Sequence, residues 1–283
     1  MINDNNKIKL SVSNIAWQAE DDEAMYKKIA DSGFEGLEIA PSRIFGSQPY
    51  DNTERAKEWA CKLNAEYGLV VSSMQSIWYG RSENIFRSKD ERDVLEQYTF
   101  KAIDFAEAIS CENLVFGCPK NRNLESNAQL THESAIELFK TVGDYASEHG
   151  TTISLEANPA IYGTNYLNTL KQVCDVLAET GTKGLAVNLD FGAIIYNNEA
   201  KEESIEDSLE IVKKIVPSIN HVHISEPHLR MIKQRKEHKT LFQILISGGY
   251  SHFVSIEIGN GAGTLSDISS AMNYVKELSI KPC

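Results

Sequence analysis

The sequence lacks the features that mark secreted, membrane-embedded and nucleic-acid-binding proteins. No apolar run approaches the length of a membrane span, and the N-terminal segment MINDNNKIKL contains no apolar signal core. The five cysteines are odd in number and show no CxxC spacing, which favours reduced side chains in a cytosol over a disulfide framework. Only 28 Lys and Arg accompany 40 Asp and Glu, and the net charge of −12 repels phosphodiester backbones. We therefore expect a cytoplasmic protein with no membrane or nucleic-acid partner.

A dinucleotide-binding loop and a domain linker are also missing. After the first predicted strand the chain reads SNIAW (residues 13–17), where a nucleotide-binding sheet would carry GxGxxG. No low-complexity segment or shift in composition divides the 283 residues, and the 42% apolar and 24% charged fractions are those of an ordinary globule. We expect one domain over residues 1–283 and no nicotinamide or flavin.

The sequence does contain a regular succession of strand and helix patterns. Predicted strands begin roughly 35 residues apart, the size of a βα unit, and each is followed by a segment with helical spacing. The eight starts lie near Ile8, Glu35, Leu69, Asn113, Thr152, Leu185, Asn220 and Phe253. Eight successive units indicate a parallel sheet that closes, so the predicted fold is an α/β (β/α)8 TIM barrel, with an open doubly wound sheet as the alternative.

The clearest predicted helices end on glycine. Within residues 133–149, apolar side chains recur with helical spacing and form one stripe, and Gly150 follows directly. The other helices predicted with clear bounds are residues 22–32, 52–67, 90–109 and 240–247. This helix–glycine–strand order supports the assignment of βα units.

Four strands carry polar side chains at their C-terminal ends. In HVHISE (residues 221–226), strand alternation puts His221, His223 and Ser225 on one face and the apolar residues on the other. The segments TISLE, LAVNLD and FVSIEI alternate in the same way. Each of the four strands then has one side chain near its C-terminal end that can bind a metal: Glu156, Asp190, His223 and Glu257. Because these ends meet at one mouth of a barrel, the four side chains should converge.

Carboxylates combined with one imidazole form a hard, oxygen-rich ligand set. Such a set suits Mn²⁺ or Mg²⁺, with Co²⁺ and Zn²⁺ as alternatives. A single glutamate at a strand end is more often a buried, hydrogen-bonded group, but four residues at one height favour a metal site. We predict one divalent ion, Mn²⁺ first among the candidates, bound by the side chains of Glu156, Asp190, His223 and Glu257.

Other polar and aromatic residues follow the predicted strands and are candidates for substrate contact. The set is Trp17, Glu38, Lys120, Arg122 and Arg230. Lys120 and Arg122 could hold a phosphate or carboxylate of the substrate. Trp17, Trp78 and Tyr79 could form walls of the cavity, with packing in the apolar core as the alternative.

The segment after the seventh strand is basic. It reads PHLRMIKQRKEHK (residues 227–239), and for residues 233–239 a solvated charged loop is the preferred interpretation. His221 lies one inward position below His223, so we expect it to be a partner of a metal ligand or a hydrogen-bonded core histidine.

On these residues the chain resembles the xylose-isomerase-like barrels of the sugar-phosphate isomerase/epimerase group. That group includes ketose 3-epimerases, hydroxypyruvate isomerase and inosose-processing enzymes. The resemblance runs through GFEGLEIAP, LEANPAIYGTNYLNT, VNLDFG, HVHISEP and VSIEIG. It implies a metal-dependent isomerase or epimerase of a sugar, sugar phosphate or related α-hydroxy carbonyl compound. Glu156 and Glu257 would be the catalytic groups, transferring a proton by way of a metal-stabilised enediolate.

Three positions depart from the ketose 3-epimerase pattern. Tyr162 stands where those enzymes have a second glutamate, Ala193 where they have a histidine, and Leu229 where they have an arginine, with Arg230 one place later. A free ketohexose is therefore not the expected substrate. The expected partner remains a small carbohydrate-like molecule, with an anionic substrate as one form, and the resemblance leaves a homo-oligomer open.

Two other functions stay open from the sequence. A lyase similar to inosose dehydratase would use the same metal and expel a β-hydroxyl group, and a non-catalytic ligand-binding barrel is the less favoured alternative. The related endonuclease IV group uses histidines from early strands, whereas this chain has none before His132. DNA cleavage is accordingly not expected.

Overall fold

The sheet of this protein is a closed barrel. The computed structural model describes residues 7–280. Eight parallel strands are hydrogen-bonded in chain order, and the last pairs with the first. The strands are β1 (Lys9–Ser13), β2 (Gly36–Ile39), β3 (Val70–Met74), β4 (Asn113–Phe116), β5 (Thr152–Glu156), β6 (Leu185–Asp190), β7 (Ile219–Ile224) and β8 (Phe253–Ile256). Each begins within one residue of its predicted start.

Ten α-helices are interleaved with the strands over the described residues. They are α1 (Asp22–Asp31), α2 (Pro41–Phe45), α3 (Thr53–Tyr67), α4 (Lys89–Ala108), α5 (His132–Glu148), α6 (Leu170–Thr180), α7 (Phe191–Glu199), α8 (Ile205–Ile215), α9 (Lys236–Ser247) and α10 (Leu265–Ser279). The predicted (β/α)8 TIM barrel is therefore confirmed. Within residues 7–280, no helix has both the length and the apolar character needed to cross a membrane.

The basic segment after β7 differs from its prediction. Helix α9 begins at Lys236, and the side chain of His238 is buried on its inner face. Arg235, just before the helix, donates from Nε and Nη2 to the two carboxylate oxygens of buried Glu226, at 2.8 and 2.6 Å. The prediction of a solvated loop over residues 233–239 is therefore wrong from Arg235 onward. The prediction rested on the high density of charged residues, which does not reveal that Arg235 is paired or that a helix begins at Lys236.

The two faces of β7 point into different surroundings, as the alternation predicts. Val222 and Ile224 belong to the continuous apolar core. His221 and His223, on the other face, are equally buried, but their surroundings inside the barrel are polar. TIM barrels usually fill this interior with branched apolar side chains, so the polar interior is a distinguishing feature of this chain.

The polar interior is linked by hydrogen bonds between neighbouring strands. Near its base, Asn113 donates to the hydroxyl of Ser73 (2.8 Å), and its amide oxygen accepts from Ser154 (2.5 Å) and from Asn220 (2.8 Å). Higher up, the carboxylate of Glu38 accepts from Ser255 at 2.8 Å. These contacts satisfy buried polar groups that would otherwise destabilise the barrel.

Candidate metal centre

His223 is the centre of the candidate site. Its Nδ1 lies 3.1 Å from Glu156 Oε1 and 3.4 Å from Glu257 Oε2. Its other ring nitrogen, Nε2, lies 2.9 Å from Glu38 Oε1. A carboxylate that accepts the Nε2 proton fixes the ring and leaves Nδ1 as the metal-binding nitrogen, as is usual for histidine ligands. The strand thus directs Nδ1 to the position where two of the predicted ligands approach.

Glu156 is held by two asparagine side chains. Asn188, its register partner on β6, donates Nδ2 to Oε1 at 2.6 Å, and Asn158 donates Nδ2 to Oε2 at 2.8 Å. Only 8% of Glu156 is exposed, and Glu257 has the same exposure. In contrast, the Glu257 carboxylate accepts no hydrogen bond from the other residues between 7 and 280. The two glutamates therefore differ in how firmly they are held.

Asp190 is positioned by the junction between β6 and α7. Its Oδ1 accepts from the backbone N–H of Gly192 at 2.9 Å and from the hydroxyl of Ser225. A Cβ at position 192 would lie 2.2 Å from Ser225 Oγ, so only glycine allows this junction to pack against the end of β7. The close packing brings the third predicted carboxylate to the same mouth.

Burial and mutual repulsion disturb the ionisation of this group. Burial raises the pKa of Asp190 to about 6, and the charge of Glu156 acts in the same direction. Burial also raises the pKa of Glu257 well above its ordinary value, opposed by the charge of His223. The pKa of His223 is itself raised: burial opposes this, but the charges of Glu38 and Glu257 outweigh it.

The pKa of Glu156 moves the other way. Burial opposes the change, but the hydrogen bond and charge of His223 lower the pKa of Glu156 below 4.5. Negative charge in the cluster exceeds what one imidazolium can neutralise. Together with the imidazole nitrogen facing the carboxylates, this excess makes the donor set suitable for a divalent cation.

A second metal-capable group shares His223. The ligand atoms of Glu38, His221 and His223 all lie within 4.8 Å of one another, and all three residues are buried. His221 Nε2 lies 3.4 Å from Glu38 Oε1. An ion there would be enclosed by protein, which is typical of structural sites, whereas the Nδ1 side of His223 adjoins the two glutamates at the C-terminal mouth. Sequence reasoning did not anticipate this arrangement.

Three of the predicted substrate-binding residues are enclosed by protein groups. Trp17 is buried and donates Nε1 to Asp22 at 2.8 Å. Glu38 accepts hydrogen bonds from inside the barrel, and Arg122 is 0% exposed. Direct substrate contact stays a prediction for these three side chains. Trp78 is likewise buried in the core and donates to Thr99 at 2.9 Å.

The other two predicted substrate-binding residues are exposed cations. Lys120 lines a cavity of about 430 Å³ between the loops after β3 and β4, which it shares with Tyr79 and Cys118. Arg230 is exposed on the loop after β7. Neither side chain makes a hydrogen bond or an ion pair with the residues described by the structure. Both cations therefore remain available to an anionic group.

Tyr162 is a site residue that sequence reasoning treated only as a departure from the family pattern. Its hydroxyl accepts from the backbone N–H of His228 at 3.0 Å, which connects the loops after β5 and β7. Burial raises the pKa of Tyr162, and the charges of Asp190, Glu257 and Glu156 add to this rise. The phenol is therefore expected to stay protonated at neutral pH.

The loop after β7 holds two residues in left-handed backbone conformations. His228 has a φ of 62° and Leu229 a φ of 51°. Each such non-glycine conformation costs about 1–3 kcal/mol and persists only where surrounding contacts impose it. Here Gly259 N–H donates to the carbonyl of Leu229 at 2.7 Å, and Tyr162 accepts from His228.

Comparison with known proteins identifies the family of this chain. The xylose isomerase-like TIM barrel family matches residues 26–278. The chain belongs to this family. A curated relative, inosose dehydratase from Geobacillus thermodenitrificans, is 23% identical over 263 residues, covering 86% of this chain and 79% of the relative.

Solved structures share the fold at low sequence identity. D-psicose 3-epimerase from Clostridium cellulolyticum H10, solved with D-tagatose, has a TM-score of 0.75 at 14% identity, covering 96% of this chain and 99% of its own. The IolI protein, solved with a bound zinc atom, has a TM-score of 0.67 at 13% identity, covering 96% of each chain. The resemblance predicted from the sequence is thus confirmed at the level of fold and family.

Proposed function

We propose that the protein is a divalent-metal-dependent isomerase or epimerase of a sugar, sugar phosphate or related α-hydroxy carbonyl compound. The observation that carries the proposal is the approach of Glu156 and Glu257 to the same nitrogen of His223, at 3.1 and 3.4 Å. Glu156 ends β5 and Glu257 directly follows β8, so both lie at the C-terminal mouth, where the chemistry of TIM barrels takes place. The structural similarity to D-psicose 3-epimerase supports the same reaction class.

Glu156, Asp190, His223 and Glu257 would hold the ion, with Mn²⁺ as the first candidate and Mg²⁺, Co²⁺ or Zn²⁺ as alternatives. When bound, a divalent ion supplies Lewis-acid stabilisation of negative charge that develops on substrate oxygens. Glu38 would orient His223 through Nε2, and Ser225 with Gly192 would orient Asp190.

Glu156 and Glu257 would transfer the proton. One carboxylate removes a proton from the carbon next to the carbonyl, and the other returns a proton. Return to the opposite face of the same carbon yields an epimer, and return to the neighbouring carbon yields an aldose–ketose isomer. Glu257 is the glutamate with the greater freedom to adjust to substrate, since Asn158 and Asn188 hold Glu156.

The substrate would be a small carbohydrate-like molecule. An anionic group on it would find unpaired cations at Lys120 and Arg230. Tyr162 stands where a glutamate would hold a free ketohexose, so we propose a different sugar derivative. We further propose that the protein is a one-domain cytoplasmic enzyme and that it has no nucleic-acid partner.

A lyase is the second candidate. The curated relative at 23% identity is an inosose dehydratase, and dehydration begins with the same removal of a carbon-bound proton. The difference is that a β-hydroxyl group then leaves as water. Mass spectrometry of the product separates the two reactions, because isomerisation and epimerisation leave the substrate mass unchanged.

Solvent exchange tests the proposed proton transfer. Mn²⁺-loaded protein, incubated in heavy water with a panel of α-hydroxy ketones, should introduce deuterium at the carbon next to the carbonyl. Glu257→Gln should reduce turnover by about 10²–10⁴-fold, the usual cost of losing a positioned acid–base group. Glu277→Gln, an exposed position on α10, serves as the control. Turnover without exchange, together with full activity of Glu257→Gln, would refute the proposal.

A further inference from the structure

We infer that Arg122 is a positioning residue: acting through Asn158, it holds the Glu156 carboxylate in the orientation that presents one oxygen to the candidate metal position. The inference deepens the proposed function and rests on it. Arg122 lies on the loop after β4 and is 0% exposed, with its guanidinium 5.8 Å above the ring of Phe116. Burying a guanidinium is costly, so its contacts must compensate for lost hydration.

All the hydrogen bonds found for the Arg122 guanidinium are made by Nη2 with the end of β5. This nitrogen donates to the backbone carbonyl of Glu156 at 2.9 Å and to Oδ1 of Asn158 at 2.7 Å. Within residues 7–280, Nε and Nη1 have no hydrogen-bond partner, and no carboxylate lies within ion-pair distance of the guanidinium. The hydrogen bonds of the buried guanidinium are therefore all made with the end of β5 and the first residues of the following loop.

The chemistry of arginine then decides how the Asn158 amide is oriented. A guanidinium can only donate hydrogen bonds, so the amide must turn its oxygen toward Arg122. Its Nδ2 consequently faces Glu156, where it donates to Oε2 at 2.8 Å. If the amide rotated by half a turn, its oxygen would face the carboxylate, and two acceptors would repel each other.

The same loop leaves room for the held oxygen. A Cβ at Gly117 would lie 2.8 Å from Glu156 Oε2 and 3.4 Å from Asn158 Oδ1, so a side chain here would displace the carboxylate. With Oε2 engaged, Oε1 is the oxygen that lies 3.1 Å from His223 Nδ1. Arg122, Asn158 and Gly117 together hold Glu156 in one orientation.

This role predicts a different outcome from direct binding of an anionic substrate. A residue that binds only substrate changes KM and leaves the empty metal site untouched. A positioning residue changes the metal site even when no substrate is present. Binding of Co²⁺ alone, followed by its visible absorption spectrum, is therefore a readout that substrate anchoring does not affect.

The experiment compares Arg122→Met, Arg122→Lys and Asn158→Leu with the wild type. Met removes the hydrogen bonds of Arg122 with little change in volume, and Leu removes those of Asn158 while keeping its branched shape. We expect each to weaken Co²⁺ binding by about 10–100-fold and to alter the spectrum. Arg122→Lys should retain most of the affinity, because an ammonium can donate to both acceptors. Arg235→Met is the control for loss of a paired arginine elsewhere, and circular dichroism verifies folding of every variant.

The outcomes separate this inference from the proposed function. Wild-type affinity and spectrum in both Arg122→Met and Asn158→Leu would overturn the positioning role while leaving the metal site intact. If Arg122→Met does not fold, Asn158→Leu decides alone, since it leaves the arginine in place. A wild-type protein that binds no Co²⁺ would refute the proposed metal site itself, and the positioning role with it.

Discussion

Replacing Glu38 by glutamine tests how the barrel interior supports the candidate metal centre. Glu38 accepts from His223 Nε2 at 2.9 Å and from Ser255 at 2.8 Å, and it lies 3.4 Å from His221. The substitution keeps the shape of the side chain but removes its charge. A neutral amide orients His223 less strongly and makes Nδ1 a weaker donor to a metal ion.

The expected loss of metal affinity follows from this contact. Removing a carboxylate behind a metal-binding histidine commonly costs about 10–100-fold in affinity, or about 1.4–2.7 kcal/mol. Mn²⁺ titration followed by calorimetry measures this difference directly. Glu35→Gln is the matched control, because Glu35 lies just before the same strand but is exposed.

The same titration distinguishes the two metal-capable groups around His223. If the ion lies on the Nδ1 side, Glu38→Gln weakens binding by the stated factor and His221→Gln has a smaller effect. If the ion lies instead among Glu38, His221 and His223, both substitutions remove ligands and should abolish binding. Unchanged Mn²⁺ affinity in a folded Glu38→Gln protein would contradict both assignments of Glu38.

Three further predictions address the ion, the substrate and pH. Wild-type protein loaded with Mn²⁺ should hold about one ion per chain by elemental analysis, and Asp190→Ala should lose it while retaining its circular dichroism spectrum. Lys120→Met should raise KM for an anionic substrate by about 10–100-fold with little change in kcat, because a charge-assisted contact is lost; equal effects on a neutral substrate would refute this. Burial lowers the pKa of His238 from 6.5 to about 4, so the unfolded chain binds the proton first and the folded state should lose up to about 3 kcal/mol as pH falls through this interval. Urea unfolding of metal-free protein should show a flatter pH dependence in His238→Gln, and identical slopes would contradict the assignment.

The strands could be predicted from the sequence because the alternation of polar and apolar residues involves only neighbouring positions. In HVHISE, alternate residues differ in polarity, so the facing of His223 could be deduced from six neighbouring residues. The metal-capable strand ends could then be brought together by barrel closure alone. The fold, and the approach of Glu156 and Glu257 to His223, were thus predictable before any contact was known.

The partners of those ligands were not predictable, because they come from distant segments. Glu38 and His223 are separated by 185 positions, and no local pattern connects them. From the sequence, Arg122 was a candidate to hold an anionic group of the substrate, because charged side chains are rarely fully buried. Its burial depends on Phe116 beneath it and on Asn158, 36 residues later.

The hydrogen-bonded interior of the barrel has a consequence for how this protein can change. Asn113 alone forms hydrogen bonds with side chains on three other strands. Loss of its amide would therefore remove a hydrogen-bond partner from Ser73, Ser154 and Asn220 at once. Removing one partner of a buried polar pair costs more than replacing both together. We expect accepted substitutions inside the barrel to come in compensating sets, whereas loop residues such as Lys120 and Arg230 can vary singly. Specificity for new substrates would then evolve through the loops at the mouth of the barrel, and the polar residues inside the barrel would change more slowly.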